Sequence, residues 1–193
     1  MKPTLLLASG SPQRRVLLQG LGLPFEVEVS RVNEEQHPEL VPSVRAEALA
    51  CAKAEEVCKR FPNRWVIGCD TLVEAPDGTL LEKAHDEEEA RQMLMLQSGG
   101  TSIVHSGLCV IDPNGLVRHS LCSSRVTFRP LHQADLDWWI STNLWKDRSG
   151  SFQIDGPGQL MIERVEGDFT GVVGLPVFLL GELLKEAGYP LYD

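Results

Sequence analysis

Apolar runs and alternations along the chain, read with the turn residues between them, predict an ordered set of strands and helices. Leu5-Leu6-Leu7-Ala8 is a short unbroken apolar run, as in a strand covered on both faces. It breaks at Ser9-Gly10-Ser11-Pro12, and residues 14–21 read as a helix stopped by Gly20 and Gly22. Ser11 suits the N-cap and Pro12 the first helical position, where a missing N–H costs nothing. Residues 25–29 alternate like a half-exposed strand, and the polar, acidic stretch 30–42 predicts a loop. Residues 43–61 have helical period, 65–69 form another buried strand, and Pro76-Asp77-Gly78 marks a hairpin turn. Asp86-Glu87-Glu88-Glu89 opens a helix with a capping-box pattern and acids in its first turn; Ser98-Gly99-Gly100 closes it. Two long β-rich stretches, 102–111 and 116–128, meet at Pro113-Asn114-Gly115. There follow a helix at 133–141, a loop rich in Gly, Ser and charge at 143–158, and a strand at Leu160-Met161-Ile162. A turn region at 167–176 and a last helix at 176–187 complete the chain. Alternating strands and helices with a β-meander between them predict an α/β fold with a mixed sheet. No linker interrupts residues 1–193, which read as one domain.

Composition narrows the partners more than the fold. Lys and Arg number 18 against 27 Asp and Glu, giving a net charge of −9. So acidic a chain is poorly suited to a nucleic-acid polymer, whose binding rests on cations neutralising phosphates. It can still take a small phosphorylated ligand if its few cations gather at one place. No apolar run approaches the roughly 18 residues of a membrane span, and the short apolar N-terminal run leads into a turn, unlike a signal peptide. The five cysteines, Cys51, Cys58, Cys69, Cys109 and Cys122, are scattered with no CxxC pair. They read as buried thiols of a reducing cytoplasm. His37, His85, His105, His119 and His132 lack the spacing of a zinc site.

Three groups of residues carry candidate chemistry. Ser9-Gly10-Ser11-Pro12-Gln13-Arg14-Arg15 joins a strand to a helix N-terminus, offering backbone N–H groups, hydroxyls and guanidinium groups to an anion. The same residues also suit an ordinary capped helix with solvated arginines. Lys53 lies on the apolar stripe Ala46, Leu49/Ala50, Val57, facing inward; there it either pairs with acids or phosphates or snorkels to the surface. Glu34 and Glu35 in the acidic loop, and Asp70 after the 65–69 strand, are the carboxylates placed to serve a hard divalent cation. They equally suit a solvated loop and a strand-end cap. Lys83, shortly after the hairpin, suits a plain surface charge as easily as a role at such a site.

Together these segments resemble the Maf family of nucleoside-triphosphate pyrophosphatases, also associated with septum formation. The matching pieces are Ser9 to Arg15, Asn33-Glu34-Glu35, Ala52-Lys53-Ala54, Gly68-Cys69-Asp70-Thr71, Glu82-Lys83, Ser98-Gly99 and Val126-Thr127-Phe128. Gly150 to Gly156, Gly167-Asp168-Phe169 and Val172 to Pro176 continue the series in the family's order. The resemblance implies a long mixed β-sheet flanked by helices, a Maf/ITPase-like sandwich with an active cleft, usually dimeric. It implies hydrolysis of a non-standard, modified or surplus nucleoside triphosphate to monophosphate and pyrophosphate with a divalent cation, Mg²⁺ or Mn²⁺. By this likeness Asp70 is the general base and a metal ligand with Glu34, while Ser9, Ser11, Arg14, Lys53 and Lys83 handle phosphates. Gln13, Thr71 and Asp155 fall where the family's subgroups differ in base choice. Thr71 resembles the UTP/dTTP subgroup, Asp155 leans towards the 7-methyl-GTP subgroup, and Gln13 matches neither. Lys83-Ala84 lacks the usual proline, and Gly171 replaces a common asparagine. The rival reading is a nucleotide-sensing protein that regulates cell division through a partner with little turnover.

Overall fold

The computed structural model describes residues 2–37 and 41–192; the loop expected at 38–40 lies outside them. Two compact units divide the chain. One comprises the chain up to Asp70, Ser106–Cys122 and the chain from Gly174; the other comprises Thr71–His105 and Ser123–Val173.

In the first unit, strand β1 (Leu5–Leu7) lies parallel to β2 (Phe25–Val27) and to the start of β3 (Trp65–Glu74). Helix α1 (Pro12–Gly20) makes the β1–β2 crossover. Alternation puts Leu5 and Leu7 in one apolar cluster with Ile67, Leu180 and Leu184, and Leu6 in another with Ala50, Ala54 and Val66. Both faces of β1 are therefore buried, which explains its unbroken apolar run. Helix α2 (Pro42–Arg60) covers one face with Ala46, Leu49, Ala50, Ala54 and Val57. Its approach is backbone-close. A Cβ at Gly68 would stand 2.2 Å from the Ala50 carbonyl oxygen, and one at Gly107 2.2 Å from that of Ala46.

In the second unit, β4 (Leu80–Leu81) pairs antiparallel with the end of β3, and β7 (Ile162–Glu166) antiparallel with β6 (Val117–Phe128). Helices α3 (Glu87–Gln97) and α4 (Gln133–Ser141) pack with Val73, Val104, Phe128 and Phe152 around Trp139. The Trp139 indole N–H donates to the Ser151 carbonyl at 2.8 Å, satisfying its one polar atom. With β5 (Thr101–Ile111) the strand order is β2-β1-β3-β5-β6-β7, β4 lying off this path beside β3. This is a mixed seven-stranded sheet flanked by helices, as expected.

Three local expectations change. The strand expected at 65–69 runs on to Glu74, because β4 gives its second half a partner. Residues 160 and 161 close a 3-10 turn, Pro157–Met161, so that strand begins only at Ile162. Within the expected turn at 167–176 a short helix, α5 (Phe169–Val173), forms. Asp168 starts it by accepting the N–H groups of Thr170 and Gly171 at 2.8 and 3.1 Å. The last helix is α6 (Val177–Glu186).

Candidate active site

Pairing of β1 with β3 ends at Leu7 and Ile67. Gly68-Cys69-Asp70 therefore continues past the carboxyl end of β1, where the chain also turns into Ser9 and α1. Asp70 lies in mid-strand instead of at a strand end, but beyond the end of its parallel neighbour. That is where parallel sheets present ligand-binding groups.

The turn after β1 is held by its own side chains. Ser11 caps α1, its hydroxyl accepting the Arg14 N–H and donating to the Gln13 side-chain oxygen at 3.1 Å. The Ser9 hydroxyl accepts from the Ser11 N–H at 3.2 Å and from an Arg14 guanidinium nitrogen at 2.9 Å. Arg14 Nε also donates to the Gly174 carbonyl at 2.8 Å, and the Cys69 thiol donates to that same oxygen at 3.0 Å. One carbonyl thus ties the α1 arginine to the residue before Asp70. Burial raises the Cys69 thiol above its ordinary range, against the lowering influence of Arg14. This is an inert thiol, not a nucleophile.

Lys53 turns to the acids. Its ammonium lies 2.5 Å from Asp70 Oδ1 and 2.7 Å from Glu34 Oε1, with the Lys53 and Asp70 side chains largely buried and that of Glu34 half exposed. An ammonium on the apolar face of α2 is thereby compensated by two carboxylates. Glu34 opens a one-turn 3-10 segment, Glu34–Gln36, capped by the Asn33 side chain. The other Asp70 oxygen, Oδ2, is buried without a hydrogen-bond partner.

An orphaned carboxylate oxygen next to a second carboxylate fits a small divalent cation, which takes one or two carboxylates and completes its shell with water and phosphate oxygens. Among the described residues no group of three or more His, Cys, Asp or Glu could hold an ion unaided.

Thr71, Lys83 and Asp155 belong to the second unit. Ser149 links two of them: it forms an isolated antiparallel bridge with exposed Lys83 and donates its hydroxyl to the Thr71 carbonyl at 3.2 Å. Asp155 is exposed and acts electrostatically on Arg148, whose guanidinium burial pulls below its ordinary value while Asp155 and Asp147 oppose the shift. Arg148 and Ser149 escaped sequence reasoning. Their only signal was charge and hydroxyl content in the 143–158 loop.

The profile of the Maf-like protein family matches residues 4–187. A dTTP/UTP pyrophosphatase of Deinococcus radiodurans is 43% identical over 186 residues, covering 96% of this chain and 94% of the relative. A dTTP/UTP pyrophosphatase of Thermus thermophilus is 40% identical, covering 97% of each chain. Among solved structures, a HAM1 protein from Coxiella burnetii superimposes with a TM-score of 0.47 and 13% identity, covering 95% of this chain and 99% of its own.

Proposed function

The chain belongs to the Maf-like protein family, and from that membership we propose that it is a nucleoside triphosphate pyrophosphatase releasing nucleoside monophosphate and pyrophosphate. The observation that carries the assignment is the Lys53 ammonium shared by Asp70 and Glu34 beside an unpartnered Asp70 oxygen. Relatives named dTTP/UTP pyrophosphatase, similar over nearly the whole chain, support a catalyst over a nucleotide sensor. They also support dTTP and UTP as the substrates.

In this mechanism Asp70 Oδ2 accepts a proton from water as the water oxygen bonds to the α-phosphorus. The bond from that phosphorus to the bridging oxygen of the β-phosphate breaks, and pyrophosphate leaves with the electron pair. Lys53 holds Asp70 through Oδ1, which leaves Oδ2 clear of the ammonium. Ser9, Ser11 and Arg14 bind phosphate oxygens, and Arg14, Lys53 and Lys83 offset charge growing on the leaving group. Glu34 and Asp70 would hold a divalent cation, Mg²⁺ or Mn²⁺, which supplies Lewis acidity at phosphate oxygens when bound.

Gln13, Thr71 and Asp155 read the base. A carboxylate opposes the carbonyl edges of uracil and thymine, and Arg148 beside Asp155 offsets that charge. We further propose that residues 1–193 act as one family domain, in the cytoplasm as a homodimer, without a nucleic-acid polymer or membrane as partner. The family likeness supports the dimer. The net charge of −9 supports the lack of a nucleic-acid partner, and no helix among the described residues is long and apolar enough to cross a membrane.

Pyrophosphate release from UTP, dTTP, CTP, GTP and 7-methyl-GTP, with Mg²⁺ or with chelator, tests the assignment. Release that needs the cation and is fastest with UTP and dTTP is expected. Binding of these nucleotides without release would favour the sensor.

A further inference from the structure

Three side chains outside the pyrophosphatase machinery form a relay within the second unit. Ser123 lies on β6, His105 on β5 and Glu74 on β3, which are neighbours in the sheet. His105 Nδ1 is 2.9 Å from Ser123 Oγ, and its Nε2 is 3.1 Å from Glu74 Oε2. A glutamate carboxylate only accepts, so in the neutral imidazole Nε2 carries the proton given to Glu74. Nδ1 is then left to accept the Ser123 hydroxyl proton. His105 is buried, whereas Ser123 is exposed. The base is thus shielded and held on both sides, while its hydroxyl partner belongs to an exposed residue.

These are the relations of a nucleophile, its general base and the group that orients the base, which are recognised by geometry and roles, independent of fold or chain order. We propose that Ser123 is an activated nucleophile that takes acyl groups from small carboxylic esters, with His105 as base and Glu74 as the residue positioning it. Ser123 Oγ bonds to the ester carbonyl carbon, and its proton passes to His105 Nδ1. The bond from that carbon to the alcohol oxygen then breaks, and the alkoxide leaves with the proton returned from Nδ1. Water repeats the sequence on the acyl-serine, releasing the carboxylic acid and restoring the Ser123 hydroxyl.

Arg125 stands two residues along β6, on the same face as Ser123. Its pair with Glu166, at 3.4 Å and half exposed on both sides, is a weak surface contact. The guanidinium is therefore free to turn to the oxyanion that develops at the carbonyl. Because Ser123 is exposed, the acyl group accepted is a small one that needs no enclosing pocket.

The test uses the full chain with p-nitrophenyl acetate, following nitrophenolate release and locating the acetyl group by peptide mass. The acetyl group is expected on Ser123. Ser123→Ala and His105→Gln should each slow release on the order of a hundredfold, and Glu74→Gln less, because it only orients the base. Pyrophosphate release by Ser123→Ala should match that of the parent chain, showing an intact fold. If His105→Gln unfolds, the exposed Ser123→Ala variant decides alone. Undiminished nitrophenolate release in Ser123→Ala, or acetyl groups only at other side chains, would make the relay a structural hydrogen-bond network and overturn the proposal.

Discussion

The two oxygens of Asp70 sit in different surroundings: Oδ1 is held by Lys53 at 2.5 Å, and Oδ2 is buried with no partner. Asp70→Asn keeps the volume but replaces the proposed proton acceptor with an amide. Pyrophosphate release should fall by about 10²–10⁴-fold, while nucleotide binding measured by calorimetry persists. Lys53→Ala acts on binding and stability together. It removes the cation we propose for the triphosphate and leaves the Asp70 carboxylate, 5% exposed, without its Lys53 partner. Activity should be lost, and denaturant unfolding should show a stability loss of about 1–3 kcal/mol. A Lys53→Ala/Asp70→Asn double variant should recover part of that stability, giving a non-zero coupling in a double-mutant cycle. The inward position of Lys53 was legible in helical spacing. Its two carboxylate partners were not, because Glu34 and Asp70 lie 19 and 17 positions away and nothing local relates them.

Helix α2 carries Lys53, so its seating on the sheet sets where that ammonium lies. Gly68→Ala would place a methyl group 2.2 Å from the Ala50 carbonyl oxygen, and backbone at both sides leaves little room to give. The expected cost is about 1–3 kcal/mol by chemical denaturation, with a fall in kcat/KM as α2 and Lys53 shift. The same helix is tied to β6 by His119 and Glu47, whose side chains meet at 2.8 Å. The hydrogen bond to Glu47, with Cys51 next in weight, raises the His119 pKa. Stability from this pair is therefore complete below the unfolded imidazole value of about 6.5 and disappears as pH rises through the higher folded value. The pair is solvent-screened and is worth at most about 1 kcal/mol. Thermal unfolding should show Glu47→Gln less stable than the parent at pH 5.5, with the gap closing as pH rises through the raised folded value of His119. At this scale the sequence carried most elements. Ser11 caps α1, and α4 spans Gln133–Ser141 as its period implies. It did not reveal α5, whose start depends on Asp168 folding back on the next turn.

Across the whole molecule, the net charge of −9 makes any phosphate site a local concentration of cations against the general field. Base choice adds a second requirement, which we propose Asp155 meets together with Arg148, on which it acts electrostatically. The parent chain should show higher kcat/KM for UTP and dTTP than for GTP. Asp155→Gln should widen that ratio roughly fivefold or more, since one mispaired polar group costs about 1–3 kcal/mol. An unchanged ranking across the nucleotide panel would show that Asp155 does not read the base. The sequence by itself determined the α/β class, the strand-to-helix turn at Ser9 to Arg14 and the family. These follow from periodicity, capping residues and ordered motifs, all properties of neighbouring positions. Only the tertiary structure decided that Lys53 neutralises Asp70 and Glu34 together, that Gly174 joins Arg14 to Cys69, and that Ser123, His105 and Glu74 line up. Each joins residues distant in the chain, and such pairings exist only once the strands have taken their order in the sheet and α2 has packed onto its glycines.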